Sequence, residues 1–129
     1  MKAKMFLYGS VPSQKNSKRI FRNKRTGSPI LVTDSKVTQW KKGASLAMRA
    51  SLPRFSCPVS IMFLFTHKTR IRKDLDNSVS TLLDTLKDSK IITDDNCLTV
   101  QKLEAQLVGF DSKNFGVEII IESIQDPLT

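Results

Sequence analysis

Acidic residues in the second half of the chain are spaced in a way that suits metal-ion chemistry. Asp74 and Asp76 stand in the sequence Asp-Leu-Asp-Asn, and a second pair, Asp94 and Asp95, follows further on. If Asp74 is extended and Asp76 enters a helix, both carboxylates point to the N-terminal end of that helix. A short helix followed by a return of the chain then brings Asp95 back beside them. Close carboxylates repel one another without a cation, and their hard oxygens suit Mg²⁺, with Mn²⁺ as a substitute.

Basic residues precede and flank these acids. The 129 residues include 21 Lys and Arg against 12 Asp and Glu, for a net charge of +9. Positions 1–73 hold 17 of the basic residues and one acid, whereas positions 74–129 hold 4 basic and 11 acidic residues. This division suggests a polyanion-binding surface with an embedded acidic site, with an unevenly charged solvated surface as the alternative. The candidate nucleic-acid contacts are Lys15, Asn16, Lys18, Arg19, Arg22, Lys24 and Arg25, then Arg70, Arg72 and Lys73.

An acidic pocket inside a basic surface is what metal-dependent hydrolysis of a phosphodiester requires. Two divalent ions can activate a water and stabilise the leaving oxygen, while flanking cations bring in the phosphate. Each acid also has a structural alternative, since Asp76 can be a helix N-cap and Asp94 and Asp95 can stabilise a turn. Two rival motifs fail on residue type. The phosphatase motif Asp-x-Asp-x-Thr/Val has Ser78 in its last place, and a calcium-binding EF-hand loop has Val79 where glycine is needed.

Hydrophobic periodicity predicts the helices and loops that must position these residues. Apolar stripes at helical spacing predict two main helices, at 36–50 with Asp34 or Ser35 as the cap, and at 76–88. Turn formers and basic residues predict a long basic loop over 12–29.

The strands complete a single α+β domain over residues 1–129. The strands are expected to form one mixed or antiparallel sheet with the two helices on a face, and residues 123–129 are expected to be a flexible tail. Strands are predicted at 3–9, 30–32, 59–66, 97–108 and 115–122.

Three details of this framework are specific. The segment 59–66 is apolar on both faces, which places it in the interior of the sheet. Within 97–108 the apolar residues change from even-numbered to odd-numbered positions, which predicts a bulge near Gln101 and Lys102. Trp40 shares the apolar face of the first helix and is expected to belong to the core rather than to stack on a base.

Length and composition exclude several classes of protein. A chain of 129 residues buries enough surface to fold without a disulfide or a structural metal. The apolar run 61–65 is too short to span a bilayer, and the apolar stretch 5–8 is too short for a signal peptide. Cys57 and Cys97 form no Cys-x-x-Cys motif and suit reduced thiols in a cytoplasm. His67 is the only histidine, which excludes a His-rich metal site and favours a polar residue at a strand end.

The order of these features resembles the RusA family of Holliday-junction resolvases, which are small phage and bacterial endonucleases. That family carries a basic N-terminal loop with a Pro-x-x-(Lys)-Asn signature, then an Asp-x-Asp-Asn motif, an Asp within the following helix and an Asp-Asp turn. The resemblance covers roughly residues 5–122 of this chain. The matching residues are Pro12 to Asn16, Asp74 to Asn77, Asp84, and Asp94 with Asp95.

The resemblance implies an activity, partners and site residues. It implies a homodimer that binds branched double-stranded DNA in a bacterial or phage-infected cytoplasm and resolves four-way junctions by paired symmetric cuts. It implies Mg²⁺ and no organic cofactor or membrane. The catalytic and metal-binding acids would be Asp74, Asp76 and Asp95, with Asn77, Ser80, Asp84 and Asp94 in supporting positions.

Ser80 departs from the family pattern, which often has a lysine at that position. A lysine there would stabilise charge on the phosphate during attack. Either Lys73, Lys87 or Lys102 supplies the cation, or the protein is a junction-binding relative with weak or no cutting activity. A basic structural protein, in which the acids are only caps and turns, is the third hypothesis.

Overall fold

The computed structural model describes residues 1–13, 18–22, 29–33 and 35–128. Within these ranges the chain forms a four-stranded mixed sheet, a two-stranded sheet and two helices, which confirms the predicted α+β class. The elements are β1 (Lys2–Tyr8), β2 (Lys18–Arg22), β3 (Pro29–Thr33), α1 (Ser35–Ser51), β4 (Val59–His67), α2 (Leu75–Asp88), β5 (Val100–Phe110) and β6 (Gly116–Ser123).

The four-stranded sheet has the order β1-β6-β4-β5. Strand β6 runs antiparallel to β1 and β4, whereas β5 runs parallel to β4. The apolar segment predicted to be interior is β4, which has a hydrogen-bonded strand on each side. Its side chains at Val59, Ile61, Phe63 and Phe65 are almost fully buried, so β4 forms the centre of the core.

Both helices contribute their apolar stripe to the same core. Ala44 and Met48 of α1 and Leu82 and Leu86 of α2 belong to one buried cluster with the sheet. Trp40 packs against this cluster, as predicted for a core residue. Burial of these stripes fixes both helices on the sheet.

A stripe of small hydroxyl side chains on α2 is also buried, which the periodicity did not predict. The Thr85 hydroxyl donates to the Thr81 carbonyl at 2.7 Å, and the Ser89 hydroxyl donates to the Thr85 carbonyl at 2.6 Å. The Ser45 hydroxyl of α1 lies 2.7 Å from that of Ser89. Because these hydroxyls find partners on their own helix backbone, α1 and α2 approach closely without unsatisfied polar atoms.

The predicted bulge in β5 is confirmed. Val59 pairs with Val100 and the next residue, Ser60, pairs with Lys102, so Gln101 is the extra residue. The structure adds a second register shift, at the pairings of Phe65 and Thr66.

The bulged Gln101 contacts Leu128, in the segment 123–129 for which the sequence predicts a flexible tail. Strand β6 continues to Ser123, and the backbone N–H of Ile124 donates to the Pro58 carbonyl at 3.1 Å. The Gln101 amide donates to the Leu128 carbonyl at 3.0 Å and accepts from the Leu128 N–H at 3.0 Å. The side chain that the bulge leaves unpaired therefore ties this segment to the sheet.

The predicted loop over 12–29 is wrong for part of its length. Residues Lys18–Arg22 form β2 and pair antiparallel with β3. Ile20 and Phe21 are residue types that favour strands, and five residues are enough for a hairpin strand once a partner is present. The rest of the loop, at 14–17 and 23–28, and the candidate cap Asp34 lie outside the described residues.

The described ranges contain no helix that is both long and apolar enough to cross a membrane. Cys57 is half-buried, Cys97 is exposed, and both are free thiols. This agrees with the prediction of reduced cysteines.

Replacement of Gly116 by alanine is expected to lower the free energy of unfolding by about 1–3 kcal/mol, the usual cost of overpacking. A Cβ at Gly116 would clash with the Leu7 carbonyl oxygen and lie 2.8 Å from the Phe6 ring. Gly43, on the exposed face of α1, has no atom within 4 Å of such a Cβ, so Gly43→Ala should stabilise the protein. Urea unfolding of both variants measures the difference, and equal stability would contradict the packing argument.

Candidate active site

Asp74 and Asp76 lie at the start of α2. Asp74 is the N-cap residue, with an extended backbone (φ −74°, ψ 123°), and its side chain makes no capping hydrogen bond. Asp76 is exposed, and its carboxylate accepts the N–H of Asn77 at 2.9 Å. The alternative in which Asp76 is the N-cap is therefore wrong. Two carboxylates stand at the positive end of the helix dipole, which stabilises their charge.

Cations of the segment after β4 lie at the same end of the sheet. The Lys68 ammonium stands 5.6 Å from the centre of the Phe115 ring, and the Arg70 guanidinium 5.0 Å from that of Phe110. Arg72 is exposed. Cation–π contacts restrict the conformations of the Lys68 and Arg70 side chains and leave their N–H donors available to a phosphate. The two aromatic partners could not be predicted from the sequence, because they come from a distant strand and turn.

Lys73, the residue before Asp74, contacts Val11, which directly precedes the predicted basic loop. It is half-buried, its ammonium donates to the Val11 carbonyl, and burial lowers its pKa. His67, the last residue of β4 as predicted for a strand-end position, is half-buried, and its pKa is lowered first by burial and second by the charge of Lys73. The imidazole is therefore mainly neutral at pH 7.

A cavity of about 300 Å³ lies between the end of β4, the residues after β1 and the first turns of α2. Its lining includes Val11, Phe65, His67, Lys73 and Ser78. Next to Val11, the Ser13 hydroxyl is buried with no hydrogen-bond partner among the described residues.

The proline signature begins at Pro12, the residue after Val11 of the lining, and the predicted basic loop starts there. Lys18, Arg19 and Arg22 lie on β2. The remaining candidate DNA contacts of the loop lie outside the described residues, and these are Lys15, Asn16, Lys24 and Arg25.

The second acidic pair forms a turn in which the two residues differ. The Asp94 carboxylate accepts the N–H of Asp95 at 2.7 Å and the side-chain amide of Asn96 at 3.1 Å. The backbone N–H of Asp95 is the main cause of the lowered pKa of Asp94. Asp94 therefore stabilises the turn, as its structural alternative predicts, whereas Asp95 contributes a backbone donor and an exposed carboxylate.

This turn lies at the opposite end of the sheet from Asp74 and Asp76. The Ile91 carbonyl accepts the N–H of Phe55, and the Thr99 carbonyl accepts the N–H of Val59, both at 2.8 Å, so the turn flanks the beginning of β4. The nine residues of β4 separate the two ends by about 26 Å, since they make eight intervals of roughly 3.3 Å.

The expected return of Asp95 to the first acidic pair therefore does not occur within one chain. In the described part of the chain, no three His, Cys, Asp or Glu side chains are grouped to hold a metal ion. Asp74 and Asp76 by themselves still offer hard oxygen ligands that suit a divalent cation.

The predicted supporting residues have separate roles. Asp84 forms an ion pair with Lys41 of α1, which also contacts Asp88 at 3.1 Å, so Asp84 joins the helices. Burial alone would lower the pKa of Lys41, but its hydrogen bonds to Asp84 and Asp88 outweigh burial and raise it. Ser80 is exposed on α2. Sequence reasoning missed Lys41, since its partner lies 43 residues away.

Of the three lysines considered as substitutes for a lysine at position 80, only Lys73 lies at the Asp74 end. Lys87, in the last turn of α2, lies close enough to Asp94 to lower its pKa. Lys102 is on β5 near the bulge and forms an ion pair with Glu104 at 3.2 Å.

Comparison with known proteins identifies the family of the chain. No curated protein matches the chain. The family model described as Endodeoxyribonuclease RusA matches residues 10–122, a range that includes the acidic motif, the basic segment after β4, α2 and the acidic turn. The chain therefore belongs to the RusA family of endodeoxyribonucleases.

Proposed function

We propose that this protein is a divalent-metal-dependent endonuclease that resolves four-way DNA junctions by paired symmetric cuts, acting in the cytoplasm of a bacterial or phage-infected cell. The observation that carries the proposal is the position of Asp74 and Asp76 at the start of α2, beside cations that rest on aromatic rings. Membership of a family of endodeoxyribonucleases supports DNA as the substrate.

The chain's own groups would bind and orient the DNA backbone. Arg70, Arg72 and the cations of β2 contact phosphates, which position the duplex arms without reading sequence. Asp74 and Asp76 supply carboxylate oxygens to Mg²⁺, or to Mn²⁺ in its place. When bound, such an ion supplies water activation and stabilises the leaving oxygen, so the neutral His67 is not needed as a general base.

We further propose a homodimer, because one chain holds only two of the three acids at one place. Strand β5 is an outer strand of the sheet, and among the described residues it pairs on one side only. Leu103, Val108 and Phe110 are 43%, 51% and 44% exposed along it. An exposed apolar edge of this length favours pairing with another strand.

Antiparallel pairing of β5 with the same strand of a second copy would complete the set of acids. A two-fold axis places the beginning of one β5 beside the end of the other. Asp95 precedes β5, and Asp74 follows the end of β4, which runs parallel to β5. In such a dimer, the partner's Asp95 would therefore lie closer to Asp74 and Asp76 than Asp95 of the same chain does. The acidic turn then also faces Arg70 of the other copy, which is electrostatically favourable.

The substitution at Ser80 supports a second candidate, a relative that binds junctions with weak or no cutting. In the nuclease proposal, Lys73 takes over the stabilisation of phosphate charge, since it alone of the three candidate lysines lies at the Asp74 end. The retention of all three acids favours the nuclease.

Asp76→Asn is expected to abolish metal-dependent cutting of a synthetic four-way junction while leaving junction binding intact. The reason is that the substitution removes a ligand charge but nearly keeps the shape, and the loss should exceed the roughly 100-fold that outer-sphere changes cause. Gel assays of strand-labelled junctions, with and without Mg²⁺ or Mn²⁺, measure paired symmetric nicks. Asp126→Asn, in the C-terminal segment, is the control and should cut normally. Tight binding by the wild type without nicks in either metal would favour the binding-only candidate.

Mixing Asp76→Asn with Asp95→Asn should restore cutting if the acids combine across the dimer. Each mixed dimer then has one site with an intact Asp76 from one chain and an intact Asp95 from the other. After random exchange of subunits, about a quarter of the wild-type number of sites is expected, and cuts should be single rather than paired. Mixing Asp74→Asn with Asp76→Asn is the control, and it restores no site in any arrangement. An inactive Asp76/Asp95 mixture beside an active wild type would show that the dimer arrangement is wrong.

Arg70→Gln is expected to weaken binding to all DNA sequences alike and to make it less sensitive to salt. If about six phosphates are contacted, log K should fall with log salt at a slope near −5, and the variant should reduce that slope by about one. Arg49→Gln, at the far end of α1, provides the matched control and should keep the full slope. Fluorescence anisotropy over a salt series makes the comparison, and equal slopes for the two variants would exclude a phosphate contact at Arg70.

A further inference from the structure

The cavity beside the acidic pair has a lining that the cutting chemistry does not use. Its volume is about 300 Å³, at the lower end for sites that bind small planar ligands. The cavity lies close to the start of α2, since its lining includes Lys73, the residue before Asp74, and Ser78 of the helix. A group bound in the cavity would therefore sit next to the scissile phosphate.

The walls of the cavity are more apolar and aromatic than a phosphate site requires. Val11 and Phe65 are buried in its wall, and Ile71 stands exposed at its rim. The His67 ring lies edge to face with Phe65, with 6.1 Å between ring centres. A neutral imidazole has a flat face for stacking and can both donate and accept a hydrogen bond.

Two lysines belong to the cavity lining, and each has a contact within the chain. The Lys73 ammonium is already bonded to the Val11 carbonyl, and the Lys68 ammonium lies over the Phe115 ring. The described residues that line the cavity include no carboxylate, so a hard ion such as Mg²⁺ lacks the oxygen ligands that it prefers there. The apolar and aromatic walls fit a planar group with hydrogen-bonding edges, and the two lysines, which keep their charge, would attract the phosphate that adjoins it.

We infer that this cavity receives a nucleobase that is unstacked at the branch point of the junction and holds it against His67. The inference rests on the proposed function, because a four-way junction is the DNA form that offers loosened bases beside the cut. Capture of such a base would separate junctions from plain duplexes, which offer the same phosphates but no free base.

The test uses the full protein with junctions that carry 2-aminopurine, one at a time, at each adenine placed next to the branch point. Ca²⁺ replaces Mg²⁺ so that the DNA stays uncut. On wild-type protein, one position should show a large change in fluorescence and protection from acrylamide quenching. His67→Ala should remove the signal, and His67→Phe should keep it, since phenylalanine preserves the stacking face.

A variant that blocks the cavity distinguishes the possible ligands. Thr69 is exposed and lines the cavity, so Thr69→Trp should fill the mouth with little effect on folding, and Ser112→Trp, in the exposed turn after β5, is the matched control. Thr69→Trp should weaken junction binding about tenfold, leave duplex binding unchanged and keep the slope of log K against log salt.

Two outcomes would overturn the inference without touching the nuclease proposal. A salt slope reduced by about one in Thr69→Trp would identify the occupant as a phosphate. Fluorescence that stays the same at every position, beside normal cutting in Mg²⁺, would show that no base enters. Failure of the wild type to bind junctions at all would instead remove the proposed function.

Discussion

The packing of α2 against the sheet is the constraint on which the site depends. Val79, Leu82 and Leu86 bury one face of the helix against the centre of the sheet, and the hydroxyl stripe fits the other side against α1. With its 14 residues, α2 spans about 21 Å and runs antiparallel to β4. Its start therefore lies where β4 ends, and the chain after it emerges where β4 begins. This direction separates Asp74 and Asp76 from Asp95, and every other property of the site follows from that separation.

The positive charge at the start of α2 offsets the repulsion between the carboxylates of Asp74 and Asp76. Two carboxylates stand at the positive end of the helix dipole and next to Lys73. The cations after β4 have aromatic partners instead, since Phe110 contacts Arg70 and Phe115 contacts Lys68. The arrangement leaves carboxylate oxygens open to a cation and guanidinium donors open to an anion at one surface. That combination suits a phosphodiester held next to a divalent ion.

The parts of the fold that bury apolar surface could be predicted from the sequence. The interior position of β4 and the bulge at Gln101 follow from hydrophobic periodicity, because burial imposes that periodicity. Strand β2 was missed, since its basic residues obscure a short strand that depends on its partner β3. The direction of α2 relative to β4 is set by tertiary packing and leaves no trace in spacing, so the distance between Asp95 and Asp74 could not be predicted. The same holds for Lys41 and Asp84, which meet from different helices.

A catalytic set divided between two copies would link cutting to assembly. One chain would bind DNA phosphates through its own cations, but it would lack the third acid at the Asp74 end. Cleavage would then require a concentration at which the exposed edge of β5 is paired, whereas weak binding to duplex DNA would not. The two sites would also be related by the two-fold axis, as are the two strands cut in a symmetric junction. The separation that α2 imposes within a chain would thus prevent a lone subunit from nicking duplex DNA.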